Sequence, residues 1–268
     1  MSESIASQSL RRNLFGMPID AVTLDEAVTR VIDWTRSDSG VCRYVVTPNV
    51  DHAVMYQVHD VLRRAYRHAA LVLADGAPIV LASRLLGKAL PARVAGSDLV
   101  PALFAAASTH CDEGAAGRSE LTVFLLGAAP GVADRAARNI HARWPSVRVT
   151  GTFSPPLGFE RSADANREIL NRIAAVRPDL LIVGLGAPKQ ERWVLEHHRE
   201  IDAKVALCVG ATIDFLAGHK RRAPVWMRKS GMEWLHRLAC EPRRLLARYG
   251  RDAWIYPQLV WSELRGAV

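Results

Sequence analysis

The amino-acid sequence predicts an α/β protein with a doubly wound, mostly parallel, Rossmann-like sheet and a basic helical appendage at its C-terminal end. Short apolar runs alternate with helical patterns over the first two thirds of the chain, which is typical of a parallel sheet. From about Lys220, aromatic, leucine and basic residues are interleaved at helical spacing. We therefore expect an α/β domain over residues 1–218 and an appendage over residues 219–268.

Five apolar runs have the length and composition of buried strands. They are Arg43–Thr47, Ala70–Ala74, Leu121–Leu126, Asp179–Val183 and Lys204–Val209, and Val147–Gly151 is a shorter candidate. Helical spacing of apolar residues predicts seven helices around these strands. They lie at about Leu24–Arg36, Val61–His68, Pro78–Leu86, Leu99–Cys111, Val132–Trp144, Ala163–Val176 and Lys189–His198.

Two features of the sequence bear on the cellular location of the protein. No window approaches eighteen consecutive apolar residues, and the first sixteen residues lack the apolar core of a signal peptide. These features predict a cytoplasmic protein body. The four cysteines, Cys42, Cys111, Cys208 and Cys240, are scattered without a CxxC pair, which argues against a zinc site or a disulfide.

The positive charge is concentrated in one segment. Between His219 and Arg251 there are ten Lys or Arg residues and two acids, so this segment alone has a net charge of +8. The whole chain also has a net charge of +8, so the rest is neutral in sum. A localised basic patch indicates an anionic partner, which can be phospholipid, nucleic acid or a diphosphate. Arginines beside Trp and Leu on helices favour a membrane surface, although packing of the tryptophans on the core is the alternative.

Polar residues follow the predicted strands at their carboxyl ends, where open parallel sheets bind ligands. Asp75 follows one strand and precedes Gly76, a position that suits a general base or, alternatively, a helix cap. Thr47 and Asn49 follow another strand, with capping as the alternative role. Arg93 can form a two-pronged contact with phosphate.

Two glycine-containing turns predict sites for a diphosphate. Gly127 ends one strand, and glycine there lets backbone amides approach phosphate at a helix N-terminus. Gly184 and Gly186 precede Lys189 and Gln190 in a second turn. Lys189 can meet a diphosphate charge, and Gln190 can hydrogen-bond a sugar or a uracil edge.

Taken in order, these segments resemble the WecG/TagA/CpsF glycosyltransferase family. The resemblance runs from about Phe15 to Arg244, and five motifs carry it. They are Thr47-Pro48-Asn49, Ala74-Asp75-Gly76, Arg93-Val94-Ala95-Gly96-Ser97-Asp98, Gly184-Leu185-Gly186-Ala187-Pro188-Lys189-Gln190-Glu191, and Ala223-Pro224 with Glu233-Trp234. A departure is the turn Val209–Phe215, which contains Asp214 and is less glycine-rich than in the family. Because that turn is expected to line the donor pocket, the donor sugar cannot be transferred from relatives.

The resemblance implies an inverting glycosyltransferase that moves a hexose-type sugar from a UDP-sugar to an undecaprenyl-diphosphate-linked acceptor during synthesis of exopolysaccharide or another cell-surface glycan. It implies that Asp75 is the base and that Thr47, Arg93 and Gln190 are the other active-site positions. It also implies an appendage that docks on the membrane and completes the site, with no metal and no cofactor. Tail arginines are expected to contact the acceptor diphosphate, and which of them do so stays open. The candidates are Arg221, Arg222, Arg237 and Arg244.

The expected location is therefore the cytoplasm, with peripheral attachment to the anionic inner face of the plasma membrane. No nucleic-acid partner is expected, and the existence of a homo-oligomer is open. Two alternatives are a Rossmann-like nucleotide-binding oxidoreductase and a nucleic-acid-binding protein that uses the basic tail. The first lacks a GxGxxG turn after its first strand, and the second leaves the polar strand ends unexplained. No DxD, HExxH or Walker A pattern occurs either.

Overall fold

The computed structural model describes residues 11–37, 40–112 and 120–266, so the outer limits of the two predicted domains lie outside the described residues. The strands are β1 (Arg11–Leu14), β2 (Met17–Asp20), β3 (Arg43–Val46), β4 (Leu71–Val72), β5 (Leu121–Gly127), β6 (Val147–Phe153), β7 (Leu180–Gly184) and β8 (Val205–Cys208). The first two form an antiparallel hairpin. The other six form one sheet in the order β4-β3-β8-β7-β5-β6, and every pairing in it is parallel.

Helices cover both faces of this sheet, as a parallel sheet requires. The helices are α1 (Leu24–Arg36), α2 (Val50–Tyr56), α3 (Asp60–His68), α4 (Ala77–Leu85), α5 (Gly96–Asp112), α6 (Val132–Arg143), α7 (Ala163–Ala174), α8 (Lys189–His197), α9 (Thr212–Leu216), α10 (Val225–Lys229), α11 (Glu233–Cys240) and α12 (Pro242–Leu264). Strand side chains alternate between two apolar clusters: Tyr44 and Val46 pack on one face, and Val45 packs on the other. The predicted doubly wound α/β fold with a C-terminal helical segment is confirmed.

Several boundaries differ from the sequence prediction. The predicted strand at Ala70–Ala74 is only the two-residue β4, because it lies at the sheet edge and pairs with β3 alone. The strand predicted at Val147–Gly151 continues to Phe153 as β6. The hairpin β1–β2 and the short helix α2 were not predicted. Among the described residues, no helix is long and apolar enough to cross a membrane.

Capping side chains begin several helices where the sequence changes from strand to helix. Thr23 accepts a hydrogen bond from the amide of Glu26, whose carboxylate accepts one from the amide of Thr23, so a capping box begins α1. Asn49 begins α2 with an equivalent exchange with His52. Cys42, Cys208 and Cys240 are free thiols, whereas the side chain of Cys111 lies outside the described part of the chain.

The C-terminal helices pack against the carboxyl edge of the sheet and against the hairpin. The Tyr256 hydroxyl donates to the carbonyl of Pro78 at 3.0 Å, at the start of α4. Near the end of α12, the buried Glu263 carboxylate accepts from the amide of Phe15 and from the ammonium group of Lys88, both at 2.6 Å. These contacts hold α12 across the body from the carboxyl edge to the β1–β2 turn.

At the carboxyl edge of the sheet, Gly127 is the glycine that lies closest to the backbone of a neighbouring strand. Its φ is +112°, and a Cβ there would lie 2.5 Å from the carbonyl oxygen of Gly184 on the neighbouring strand. Gly127→Ala should therefore lower the free energy of unfolding by about 3 kcal/mol, because it combines backbone strain with an overlap that cannot relax cheaply. Gly131 is the matched control, since its φ is +77° and a Cβ there would have no other atom within 4 Å.

Chemical denaturation of the two variants checks this prediction. Gly131→Ala should lose about 1–2 kcal/mol, from backbone strain alone. Equal losses for the two variants would show that the close approach between Gly127 and Gly184 does not constrain the fold.

Candidate active site

A cavity of about 300 Å³ lies where the C-terminal helices meet the carboxyl ends of the strands. The α/β body contributes Asn49, Val50, Asp51, Asp75, Gly76, Ala77, Pro78 and Arg93 to its wall. The C-terminal segment contributes Arg228, Gly231, Glu233, Trp234, Arg237, Arg248, Tyr249, Asp252, Ala253, Tyr256 and Pro257. Four residues that were predicted from the sequence therefore lie in a single wall: Asn49, Asp75, Arg93 and Arg237.

Asp75 is positioned by the backbone on both of its sides. Its amide donates to the carbonyl of Pro48 at 2.8 Å, and the amide of Val94 donates to the carbonyl of Ala74 at 2.9 Å, which brings Arg93 to the same cavity. Gly76, and not Asp75, occupies the N-cap position of α4. The capping alternative for Asp75 is therefore wrong. Among the described residues, none donates a hydrogen bond to the Asp75 carboxylate, so its oxygens remain available to a ligand.

Neighbouring groups shift the pKa of Asp75 in opposite directions. Burial raises the pKa of the Asp75 carboxyl above its ordinary value. The positive charges of Arg237 and Arg93 oppose this rise in pKa, and the negative charge of Glu233 adds to it. A carboxylate in such a place accepts a proton more readily than an exposed one while nearby cations still favour its ionised form.

Arginines and acids form a network beside Asp75. Arg93 contacts Glu233 at 3.0 Å and Asp98 at 2.7 Å. Asp98 also accepts from Arg222 at 2.7 Å and lies 3.4 Å from Arg228. These ion pairs join the body to the C-terminal segment, because Asp98 and Arg93 belong to the first and the other residues to the second.

A second contact joins α2 to the C-terminal helices. Asp51 pairs with Arg248 at 3.3 Å and also with Arg251 of α12. The buried Asp252 pairs with Arg251 in turn, at 3.0 Å. These pairs fix the part of α12 that carries Tyr249 and Tyr256 over the cavity.

A polar hub next to the cavity is formed by Asn49, which lines the cavity, and by the buried residues His52, Gln190 and Glu191. The Nε2 atom of His52 lies 3.5 Å from the Glu191 carboxylate, which also accepts from the Gln190 amide at 2.8 Å. The Nδ1 atom of His52 lies 2.8 Å from Oδ1 of Asn49. Burial disfavours protonation of His52, but the carboxylates of Glu191, Asp51 and Asp75 outweigh it and raise the pKa of His52. The hub thus links the Asp75 cavity to the turn that begins α8.

Gln190 and Thr47 have internal partners. The Oε1 atom of Gln190 accepts from the amide of Gly210 at 3.2 Å, and its side chain is buried. The Thr47 hydroxyl donates to the carbonyl of Cys208 at 3.1 Å. Both side chains therefore hold the end of β8 against its neighbours, one from α8 and the other from the end of β3.

The remaining predicted residues lie outside this cavity. Gly127, Gly184 and Gly186 lie at the ends of β5 and β7, where the amide of Ala128 donates to the carbonyl of Gly184 at 3.2 Å. Lys189, at the start of α8, pairs with Glu160 at 3.2 Å. Asp214 lies in α9, Arg221 is exposed, and Arg244 pairs with Glu241 on the outer side of α12.

Several cavity residues were not predicted from the sequence. They are Arg228, Arg248, Tyr249 and Asp252, all of which line the wall. Their only sequence signal was membership of a basic, aromatic segment, which does not say which face of a helix meets the body. Asp51 also lines the wall, and its one sequence signal was its position close to the predicted site residue Asn49.

The sequence of this chain is similar to those of known proteins. The profile of the Glycosyl transferase WecG/TagA/CpsF family matches residues 12–267. Proteins from Staphylococcus aureus strains MRSA252, NCTC 8325 / PS 47 and COL are each 27% identical to this chain over 239 residues. The alignments cover 89% of this chain and 88% of each relative. Each relative is named N-acetylglucosaminyldiphosphoundecaprenol N-acetyl-beta-D-mannosaminyltransferase. With nearly its full length matched, the chain belongs to the WecG/TagA/CpsF family of glycosyltransferases.

Proposed function

We propose that this chain is an inverting hexosyltransferase that uses a UDP-sugar and an undecaprenyl-diphosphate-linked acceptor in the synthesis of exopolysaccharide or another cell-surface glycan. The observation that carries this proposal is the half-buried Asp75 carboxylate, which accepts no hydrogen bond from the described residues, in a cavity that also contains Arg93 and Arg237. A base beside cations suits deprotonation of a hydroxyl group on an anionic substrate. The names of the Staphylococcus aureus relatives describe transfer to N-acetylglucosaminyldiphosphoundecaprenol, which is an acceptor of this kind.

The proposed reaction is one in-line displacement. The acceptor hydroxyl oxygen attacks the anomeric carbon while its proton passes to the carboxylate of Asp75. The bond between the anomeric carbon and the diphosphate oxygen breaks on the opposite face, and UDP leaves with the electron pair. Because one displacement occurs, the configuration at the anomeric carbon inverts.

The donor site in this proposal lies at the carboxyl ends of β5, β7 and β8. Gly127 and Gly186 shape the turns there, and the ammonium group of Lys189 supplies positive charge for the departing diphosphate. Gln190 supports these turns from the interior, since its side chain accepts a hydrogen bond from the amide of Gly210 and donates one to Glu191. Asp214 begins α9 close to the same strand end. The proposed reaction uses no metal and no cofactor.

In the proposed acceptor site, arginines of the C-terminal segment bind the diphosphate. Arg237 lines the cavity, and Arg222 shares the Asp98 carboxylate with the cavity residues Arg93 and Arg228. Both are already half-buried and oriented by carboxylates, so their contact with a diphosphate requires little further ordering. Arg221 and Arg244 lie outside the cavity, on exposed surface that suits anionic headgroups.

The direct test is a transfer assay with N-acetylglucosaminyl-diphospho-polyprenol as acceptor and UDP-N-acetylmannosamine, UDP-glucose and UDP-glucuronate as donors. The proposal expects product with one of these donors, of inverted configuration by NMR and undiminished by EDTA. Product of retained configuration, or dependence on added metal, would contradict the mechanism. Absence of product with every uridine donor would contradict the proposed substrate class.

Exposed aromatic residues support attachment of residues 219–268 to a membrane surface. Trp254 and Trp261 are 76% and 57% exposed, and their spacing of seven residues places them on one face of α12. Trp226 of α10 is 62% exposed. Tryptophans next to arginines fit the boundary between lipid headgroups and acyl chains. We infer that these residues hold the cavity at the anionic cytoplasmic face of the membrane.

Asp75→Asn should lower turnover by about 10²–10⁴-fold, because the amide cannot accept the proton. The same change should raise the Tm at neutral pH. The pKa of Asp75 is higher in the folded than in the unfolded chain, so its contribution to stability falls as the pH rises through the folded value, and the ionised carboxylate destabilises the fold. Steady-state kinetics and thermal unfolding measure the two effects.

Asp202→Asn is the matched control, because the Asp202 carboxylate forms an exposed pair with Arg177 just before β8, at the opposite edge of the sheet. It should change neither turnover nor the Tm appreciably. Near-normal turnover of Asp75→Asn would show that Asp75 is not the base. A clear fall in the Tm of this variant would contradict the inference that the ionised carboxylate destabilises the fold.

The membrane proposal predicts that Trp254→Ser combined with Trp261→Ser weakens binding to vesicles that contain anionic phospholipid. Liposome flotation should show binding by the unaltered protein that falls as salt is raised, since each basic residue near the surface contributes about 1 kcal/mol. Leu157→Ser, at a fully exposed leucine after β6, is the control. Equal flotation of the altered and unaltered proteins would contradict the placement of α12 at the surface.

A further inference from the structure

A second, more open cavity of about 730 Å³ lies next to the Asp75 cavity. Five residues line both spaces: Ala77, Pro78, Arg93, Arg228 and Gly231. The second cavity is a groove between α4 and α10, where Val80, Leu81 and Val225 form much of the wall and Arg84 and Ser230 also line it. Two arginines therefore stand at the boundary between the Asp75 cavity and a largely apolar groove.

A glycine allows a close contact at this boundary. Gly231 has a φ of +78°, and a Cβ there would lie 2.8 Å from the Cβ of Ala77. The turn between α10 and α11 thus lies directly against the start of α4. Both cavities are lined by Gly231 and Ala77, so this contact forms part of the wall that the two cavities share.

Charged and apolar residues occupy different parts of this region. Arg93 and Arg228 lie at the boundary and share the Asp98 carboxylate, whereas Leu81 and Val225 beyond them are 66% and 55% exposed. Exposed apolar side chains that line a groove gain stability when a ligand covers them. Two arginines next to such a groove suit a ligand that has a diphosphate at one end and a hydrocarbon chain at the other.

We propose that the groove between α4 and α10 binds the first isoprene units of the polyprenyl acceptor, with the diphosphate held by Arg93 and Arg228 together with Arg237, and the acceptor sugar beside Asp75. This inference rests on the proposed function, because it places three parts of that acceptor in the groove, at its boundary and in the Asp75 cavity. It assigns Leu81 and Val225 as residues that select a hydrocarbon chain on the diphosphate. The rest of the chain leaves the groove past Leu81 toward the lipid.

The test compares binding of geranyl diphosphate, which carries two isoprene units, with binding of inorganic pyrophosphate. Both are measured by calorimetry on the full-length protein in solution without membrane or detergent. Geranyl diphosphate should bind at least about 10-fold more tightly, because its chain covers the apolar groove. Leu81→Glu and Val225→Glu should each remove most of this preference and leave pyrophosphate affinity within about 2-fold.

Leu85→Glu is the matched control. Leu85 lies one turn further along α4 and is also 66% exposed, but it does not line the groove. It should keep the preference for geranyl diphosphate. Equal affinity of the unaltered protein for the two ligands, no binding of either, or equal effects of Leu81→Glu and Leu85→Glu would overturn the proposal.

This binding test is separate from the transfer assay. Chain-dependent binding without transfer of sugar would contradict the proposed function and leave the groove as a prenyl diphosphate site. Transfer with the same kcat/KM for prenylated and chainless acceptors would contradict the groove alone.

Discussion

The site depends on ion pairs between the α/β body and the C-terminal helices. Asp98 and Glu233 hold Arg93, Arg222, Arg228 and Arg237 close together at the carboxyl edge of the sheet. Four cations that close would repel one another without these two carboxylates. Because the pairs are partly buried, loss of one partner would leave a desolvated charge without compensation. The network thus assembles the cavity and concentrates positive charge there before any ligand arrives.

The same network determines how Asp75 can work. Burial alone would favour the protonated acid, which cannot act as a base. Arg237 and Arg93 counteract that tendency, and Glu233 limits their effect. In the proposed reaction this carboxylate must be ionised when the acceptor binds and must also accept a proton readily, and the opposing effects on its pKa suit both requirements. Since Arg237 belongs to α11, the body alone does not supply this environment.

The sheet and its covering helices could be predicted because their signals are local. Buried strands such as β5 and β7 are continuous apolar runs, and helices such as α1 show a clear apolar face after a capping residue. The helix α2 was missed because it has only seven residues, too few for a helical period to appear. The hairpin β1–β2 was missed because each strand has only four residues.

Within the site, Asp75 and Arg93 could be predicted from strand ends and a family resemblance. The pairing of particular tail arginines could not, because it depends on contacts across more than a hundred residues, such as that between Arg222 and Asp98. The internal roles of Thr47 and Gln190 were also out of reach. Both side chains suit a ligand equally well, and only the position of β8 shows that they bond to its end and the turn after it.

The most direct test of this account is the pH dependence of kcat/KM for the unaltered protein and for Arg237→Gln. If α11 places its arginine beside the base, removal of that positive charge must raise the pKa of Asp75. The acid limb of the profile should then move to higher pH, whatever happens to the maximal rate. Arg172→Gln, which alters an exposed pair on α7, should leave the limb in place. An acid limb that stays at the same pH in Arg237→Gln would show that the C-terminal helices do not complete the site of Asp75.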